Sequence, residues 1–240
     1  MLGMFHEISI ATRDIRASVD FYERLGFHQC ITNDTWSHPY GVLTDGRVFL
    51  GLHQYQFASP SITYVHREVA RLVPRLEALG IEMAFAKTSD DCFNEIGFRD
   101  PAGQMVTILE ARTYSPPDDE LRANAESRCG YFDEFSLPAT DFAACAVFWE
   151  RLGFVAMAID EVPFVSQTLA SDALDLALHR PQVCEQPMLV FRDPTMRERI
   201  AALRNDGLRF AGELPRGLDP ERNGLLIAPE GTPLLLLHQD

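Results

Sequence analysis

The chain contains the same sequence pattern twice, once in each half of its 240 residues. The pattern FYERLGF spans residues 21–27, and FWERLGF spans residues 148–154. An aspartate precedes each copy at the same distance, Asp14 in the first half and Asp141 in the second. A regular internal duplication identifies the repeating unit of folding. We therefore expect two related halves, each about the size of one small domain.

The start of the first half predicts a strand, a helix and three more strands. Ile8 and Ile10 alternate with polar residues, which is the period of a strand with one buried face. Asp14 then predicts a helix N-cap, and Gly26 predicts the end of that helix. The predicted elements are strands over 5–12, 28–32, 40–44 and 48–54 and a helix over 15–25.

The same order of elements recurs within the first half. The second set comprises strands over 61–65, 81–86, 94–99 and 104–110 and a helix over 67–79. Each half is thus two βαβββ units. The domain boundaries that follow are a first domain over 1–112, a linker with a short helix at 120–126 within 113–129, and a second domain over 130–240.

Composition limits the partners and the compartment. Acidic residues outnumber basic ones by 35 to 21, which gives a formal net charge of −14. This charge repels nucleic acids and anionic membrane surfaces, so neither is an expected partner. No apolar run approaches the roughly 20 residues of a transmembrane helix, and we expect a cytoplasmic protein. The five cysteines are odd in number and include no C-x-x-C pair, so we expect reduced, packed thiols.

The order of elements and two motifs carry a family resemblance. The helix ends in FYERLGF, and Asp100-Pro101-Ala102-Gly103 precedes the last strand of the half; the matching segment 228–231 keeps only Pro and Gly. This pattern resembles the vicinal oxygen chelate superfamily, which includes glyoxalase I, extradiol dioxygenases and bleomycin resistance proteins. The resemblance implies an α+β fold of four βαβββ units in two tandem glyoxalase-like domains. Each domain would have curved mixed sheets forming a cup, with helices outside.

The resemblance also implies where a metal would be held. In metal-binding members the ligands project into the cup from the first and last strands of each unit. The corresponding residues here are Glu7, Gly51, Ser61 and Thr107 in the first half and Glu134, Ala177, Pro187 and Leu235 in the second. Each set keeps one carboxylate, whereas a catalytic metal normally has about three protein ligands. We therefore predict no standard metal centre and no cofactor, and leave open a divalent metal held by Glu7 and His53.

One histidine and one glutamate are retained in both repeats. His53 and His179 occupy matching places, two positions beyond Gly51 and Ala177 and on the same strand face. Glu7 and His53 are the predicted catalytic pair, since a carboxylate beside an imidazole is suited to acid–base chemistry. The alternative is a strand-end histidine hydrogen-bonded at the rim of the cup. Strict alternation places His6 and Glu110 on the opposite face, away from this pair.

The remaining candidates would line the cup as substrate-binding residues. The loop 36–40 carries aromatic side chains that either stack on a flat ligand or cover the edge of the cup. Glu95 either joins Glu7 and His53 or is a surface carboxylate. The predicted substrate-binding residues are Ser9, Trp36, Tyr40, Phe49, Ser61, Glu95, Thr107, Glu134 and His179.

Three functions are consistent with these residues. The first is a small-molecule-binding protein of the glyoxalase or bleomycin resistance type without a standard metal centre. The alternative is a divalent-metal-dependent lyase, isomerase or dioxygenase with a non-standard ligand set. In the third, one half has lost its site and only completes the fold, a role that suits the more apolar second half. The expected partner is a small-molecule ligand, and the chain is expected to be a monomer or a homodimer.

Overall fold

The computed structural model describes residues 1–32, 36–89, 91, 93–111 and 127–239. Within these residues, the first half has eight strands and two helices in the predicted order. They are β1 (Met4–Ala11), α1 (Ile15–Arg24), β2 (His28–Cys30), β3 (Tyr40–Thr44), β4 (Phe49–His53), β5 (Ser61–His66), α2 (Val69–Ala78), β6 (Met83–Lys87), β7 (Glu95–Arg99) and β8 (Met105–Glu110). The predicted linker helix at 120–126 lies outside the described residues.

The second half repeats this order with one difference. Its elements are β9 (Tyr131–Pro138), α3 (Phe142–Arg151), β10 (Val155–Asp160), β11 (Ser166–Ala170), β12 (Leu176–His179), β13 (Met188–Asp193), α4 (Met196–Asn205), β14 (Gly224–Ile227) and β15 (Pro233–His238). Two strands rather than the predicted three follow α4. A single bridge between Phe210 and Leu226 stands in place of the third. The segment after it contains Pro215 and Pro220, which lack the N–H that a strand ladder needs.

Each half forms one mixed sheet. The strand orders are β2-β3-β4-β1-β5-β8-β7-β6 in the first half and β10-β11-β12-β9-β13-β15-β14 in the second. In the first half β1 pairs in parallel with β4 and antiparallel with β5, and β5 pairs in parallel with β8. The two units of a half therefore share one sheet that is joined at its centre. This is the predicted α+β architecture of tandem glyoxalase-like domains.

The alternation along the central strands separates a core face from a cup face, as predicted. Ile8, Ile10, Leu50 and Leu52 are buried in the main apolar core. The residues between them on β1 and β4, which include the predicted pair, point to the other face. The main core extends through both halves, and the rings of Phe27 and Phe191 lie 6.4 Å apart across it.

The first helix of each half is capped and terminated by the predicted residues. The Asp14 carboxylate accepts from the backbone N–H groups of Arg16 and Ala17, each at 3.1 Å. Asp141 accepts from the N–H of Ala144 at 3.0 Å. These bonds satisfy helix N–H groups that have no partner within the helix.

The two halves also exchange side-chain hydrogen bonds in a pseudo-symmetric way. Tyr22 of α1 donates to Glu230 at 2.7 Å, and Ser18 donates to the other oxygen of Glu230 at 2.8 Å. The equivalent aromatic residue of α3, Trp149, donates to Asp100 at 3.1 Å. Each helix thus bonds to the turn before the last strand of the opposite half. Both turns belong to the motifs that carried the family resemblance.

The cysteines and the helices bear on two expectations from composition. In the described ranges, Cys30, Cys129, Cys145 and Cys184 are unpaired, and the reduced state of the thiols stays a prediction. Among the described residues, no helix combines the length and apolarity required to cross a bilayer.

Candidate functional site

Glu7 is the centre of a buried hydrogen-bond network in the first-half cup. Its side chain is 1% exposed, and β1 holds it opposite Thr63 of β5. Oε1 accepts from Ser9 Oγ at 2.7 Å and lies 3.0 Å from His53 Nε2. Oε2 accepts from the hydroxyl of Tyr40 at 2.6 Å. The structure therefore brings the predicted pair, Glu7 and His53, into direct contact.

These partners determine the charge state of Glu7. Burial, the largest single influence, raises the pKa of the carboxyl group. The hydrogen bond from His53, the positive charges of protonated His6 and His53 and the hydrogen bond from Tyr40 together outweigh burial. The net pKa lies below the ordinary value of 4.5. Glu7 is thus an ionised, fully buried carboxylate at neutral pH.

Gly51 makes room for this carboxylate. A Cβ atom at position 51 would lie 2.0 Å from the carboxyl carbon and from Oε1 of Glu7. Gly51 is one of the four positions at which the resemblance implied a metal ligand. Because Glu7 fills the space directly above it, no side chain can project into the cup from position 51 without displacing Glu7.

A second histidine continues the network outward. The Nδ1 atom of His53 lies 2.9 Å from Nε2 of His38. Around this pair are aromatic rings: Trp36 stands edge-on to His53 with ring centroids 5.0 Å apart, and Tyr55 stacks on His38 at 5.0 Å. Tyr55 is 59% exposed, and Phe93, beside Trp36, is 57% exposed. We call these rings, Trp36, His38, Tyr55 and Phe93, the aromatic mouth.

The floor of the cup is a layer of hydroxyl groups. Ser9 and Thr63 are hydrogen-bonded at 2.7 Å, and Ser61 and Thr107 at 2.8 Å. Phe49 lies at one side of the same face in a small apolar cluster with Cys30 and Val42. Ser9, Phe49, Ser61 and Thr107 therefore all lie on the cup face, where the sequence predicted them.

This residue set does not fit the metal centre that the resemblance implied. Position 51 is closed by Glu7, and Ser61 and Thr107 are neutral hydroxyls that bond to each other. Both ring nitrogens of His53 already have partners. Within 1–32, 36–89, 91, 93–111 and 127–239, no three His, Cys, Asp or Glu side chains converge as metal ligands.

The second-half cup separates the residues that are paired in the first. Glu134 accepts from Thr168 at 3.1 Å, whereas His179 bonds through Nδ1 to Ser136 at 2.8 Å and through Nε2 to the carbonyl of Cys184 at 3.0 Å. Burial lowers the pKa of His179 to about 4 despite its bond to Cys184. His179 is therefore a neutral, structurally bonded histidine, which is the alternative considered for these positions.

The two cups differ by one methyl group at matching positions, Gly51 and Ala177. Ala177 pairs with Ser136 as Gly51 pairs with Ser9, and a Cβ atom at position 51 would meet the Glu7 carboxyl group. Glu134 points instead toward Thr168 and Arg192, whose Nη2 atom lies 4.0 Å away. Burial raises the pKa of Glu134 to about 7, with Asp133 adding to the rise.

The second cup is also filled with apolar side chains. Met188, Val190, Leu235 and Leu237 form a separate buried cluster on this face. The equivalent of Ser61 is Met188 rather than Pro187, because Met188 pairs with Ser136 as Ser61 pairs with Ser9. The assignment of Pro187 was wrong by one residue, since the repeat keeps its constant spacing at this strand.

Three further acid–base residues lie on the first-half sheet. Glu95 forms an ion pair with Lys87 on the neighbouring strand, so its observed position agrees with a surface carboxylate. Glu110 accepts from the N–H of Val69 at 2.9 Å at the start of α2, on the face predicted for it.

The strand face predicted for His6 was wrong. A β-bulge between Phe5 and Glu7 breaks the alternation, and His6 Nε2 lies 3.7 Å from Glu7 Oε2.

Sequence reasoning did not single out four residues of the site. Two of them contact His53: His38 through a hydrogen bond and Phe57 through its ring. Tyr55 stacks on His38, and Thr63 is hydrogen-bonded to Ser9. His38 lies in the aromatic loop that was singled out, and Thr63 has the inward parity of Ser61. Tyr55 and Phe57 lie in the connection after β4, where no period indicates their direction.

Comparison with known proteins supports the fold and gives no close relative. No protein-family model and no curated protein matches the chain. Among solved structures, a catechol 2,3-dioxygenase has a TM-score of 0.61 at 13% identity over 99% of this chain and 88% of that chain. Homoprotocatechuate 2,3-dioxygenase from Arthrobacter globiformis has a TM-score of 0.60 at 18% identity over 99% and 80%. The E323L mutant of the Brevibacterium fuscum enzyme has a TM-score of 0.62 at 16% identity over 99% and 72%. The chain thus has the fold of these dioxygenases, in agreement with the fold that the resemblance implied.

Proposed function

We propose that the first half binds a small, flat molecule at the aromatic mouth, without a divalent metal at the four strand positions that the resemblance implied. The observation that carries this proposal is the indole N–H of Trp36. It is buried and has no hydrogen-bond partner among the described residues. An unsatisfied buried donor costs about 1–3 kcal/mol, and a ligand oxygen would remove that cost. Exposed aromatic rings beside it offer a stacking surface for the rest of the ligand.

The first half is favoured over the second for this role. In the second half, Met188 and Leu235 occupy the cup, and His179 is bonded to the backbone. In the first half, the ionised Glu7 and the His53 imidazole lie beneath the aromatic mouth, and His53 is hydrogen-bonded to His38 of the mouth. A ligand placed there would contact an imidazole that is supported by a carboxylate, an arrangement suited to proton transfer.

Anisole is the probe that tests binding, because it is flat and offers an oxygen acceptor. The chain has two tryptophans, Trp36 and Trp149. Trp149 is fully buried and bonded to Asp100. In a proton–nitrogen NMR titration, we expect anisole to shift the indole signal of Trp36 and to leave that of Trp149 unchanged. If neither signal moved at any soluble anisole concentration, the proposal would be wrong.

A second candidate function is a metal-dependent ring-cleaving dioxygenase, favoured by the similarity in fold to ring-cleaving dioxygenases. Metal content distinguishes this dioxygenase from the metal-free binding protein. After growth and purification with added iron, manganese and zinc, elemental analysis should find far less than one ion per chain. About one tightly held divalent ion per chain, the stoichiometry of an ordinary catalytic site, would contradict the metal-free proposal and support the dioxygenase.

A further inference from the structure

A cavity of about 340 Å³ lies where the second half departs from the repeat. In the first half, β6 pairs along the edge of β7. In the second half, β14 is the last strand of its sheet, and the bridge between Phe210 and Leu226 stands in place of a further strand. The cavity is enclosed by the segment 211–223, the edge of β14 and the end of α4. We call it the β14 cavity.

Two arginine side chains line the β14 cavity. Arg204 comes from the last turn of α4, and Arg216 comes from the segment 211–223. Neither guanidinium forms a hydrogen bond or an ion pair with any described residue. By contrast, Arg199 of the same helix lies 2.8 Å from a carboxylate oxygen of Asp193. None of the described residues that line the cavity is acidic, so the cavity has two positive charges without a partner in a chain whose net charge is −14.

Packing supports one of these guanidinium groups. The guanidinium carbon of Arg204 lies 5.0 Å from the centroid of the Phe210 ring, within the range of a cation–π contact. The ring packs against Gly224 of β14, where a Cβ atom would come within 2.7 Å of Phe210 Cε1. Because position 224 has no side chain, the ring can approach the strand this closely and hold Arg204 beside the cavity.

Asn223 adds a buried donor to the same lining. Its side chain belongs to a residue that is 8% exposed. Nδ2 donates to the carbonyl of Asp219 at 3.0 Å, and Oδ1 accepts from the N–H of His238 at 2.8 Å. A side-chain amide has two N–H groups, and the second has no acceptor among the residues that the structure describes. Asn223, Arg204 and Arg216 therefore all have N–H groups available to an acceptor.

Much of the remaining lining is apolar. Phe210, Leu214, Leu218 and Leu225 contribute hydrocarbon surface to the cavity. Such surface favours the apolar part of a ligand, whereas guanidinium groups form strong hydrogen bonds with carboxylates and phosphates. An inorganic anion would use only the donors. The lining therefore suits a molecule that combines an anionic group with an apolar body.

We propose that the β14 cavity binds an organic anion with an apolar body, and that Arg204 and Arg216 pair with its anionic group. The cavity lies in the second half, whereas the aromatic mouth lies in the first. The two proposals are therefore independent, and either can fail without the other.

Three small molecules test this proposal in a proton–nitrogen NMR titration at neutral pH. Cyclohexanecarboxylate and cyclohexanecarboxamide share one apolar body, but only the first is an anion. We expect both to shift the backbone amide signals of Gly212 and Gly217, which line the cavity. The carboxylate should bind roughly tenfold more tightly, because hydrogen bonds to a charged acceptor are the stronger ones. Acetate lacks the apolar body and should bind roughly tenfold more weakly than cyclohexanecarboxylate.

A matched pair of arginine variants identifies the groups that bind the anion. Arg216→Gln should lose most of the preference for the carboxylate over the carboxamide. Arg209 is exposed and is not part of the cavity lining, so Arg209→Gln, which changes the net charge equally, should keep that preference. Equal losses in the two variants would overturn the proposal, as would equal binding of carboxylate and carboxamide. An absence of any shift at the two glycines would overturn it as well.

Discussion

Replacing Gly51 with alanine is expected to lower the free energy of unfolding by about 3 kcal/mol, because buried overpacking and the loss of a buried charge partner both contribute. The new Cβ atom would lie 2.0 Å from the Glu7 carboxyl group. Glu7 would have to leave His53, Ser9 and Tyr40, each of which donates to it. Urea denaturation would measure the loss, and the His53 ring-nitrogen signals would show whether the pair had separated.

Gly41 provides the matched control for this substitution. It lies on β3, next to β4, and a Cβ there would come no closer than 3.9 Å to Ile15. Gly41→Ala should therefore leave stability unchanged or raise it by about 0.5 kcal/mol, since the unfolded chain loses conformational freedom. If Gly41→Ala and Gly51→Ala lowered the free energy of unfolding equally, the loss would come from replacing a strand glycine and not from the contact with the Glu7 carboxylate.

A double-mutant cycle isolates the contact between positions 7 and 51. Glu7→Ala alone leaves three buried donors without their acceptor, and Gly51→Ala alone creates the clash. In the double variant the clash is absent, so the combined loss should be smaller than the sum of the two single losses. A coupling energy of about 1–3 kcal/mol is typical of residues in direct contact. Additive losses would contradict the conclusion that Glu7 occupies the space beside Gly51.

The architecture was predictable because the duplication and the strand period can both be read directly from the order of the residues. The alternation of Ile8, Ile10, Leu50 and Leu52 was enough to place Glu7 and His53 on one face. It was not enough to place His6, because a bulge adds one residue to β1. The residues of the strand before Glu7 therefore no longer point to the faces that strict alternation predicts. Bulges leave no consistent mark in a single sequence.

The site itself depended on differences that composition does not reveal. Gly51 and Ala177 differ by one methyl group, and a Cβ atom at position 51 would lie 2.0 Å from the Glu7 carboxyl carbon. His38 and Tyr55 lie in connections, whose side-chain directions follow from tertiary packing rather than from a period. The residue types of the cup were therefore predictable, whereas their hydrogen-bond partners were not.

Glu134 gives the second large effect, and it depends on pH. Its pKa is raised from the ordinary value of 4.5 to about 7, chiefly by burial. The folded state thus binds the proton more tightly than the unfolded state, and stability falls as the pH rises from about 4.5 to about 7. This shift corresponds to a loss on the order of 3 kcal/mol. Glu134→Gln removes the titration, so its stability should exceed that of the natural protein by roughly this amount at pH 8 and by little at pH 4.

Glu7, the equivalent residue of the first half, should respond with the opposite sign. Its pKa is lowered by the bonds from His53 and Tyr40 in spite of burial, so its charged form stabilises the folded state above the unfolded pKa. Glu7→Gln should therefore be less stable than the natural protein at pH 7, and the difference should shrink as the pH falls. Urea unfolding at several pH values would measure both variants. Parallel responses from the two glutamates would contradict the idea that Gly51 and Ala177 give them different environments.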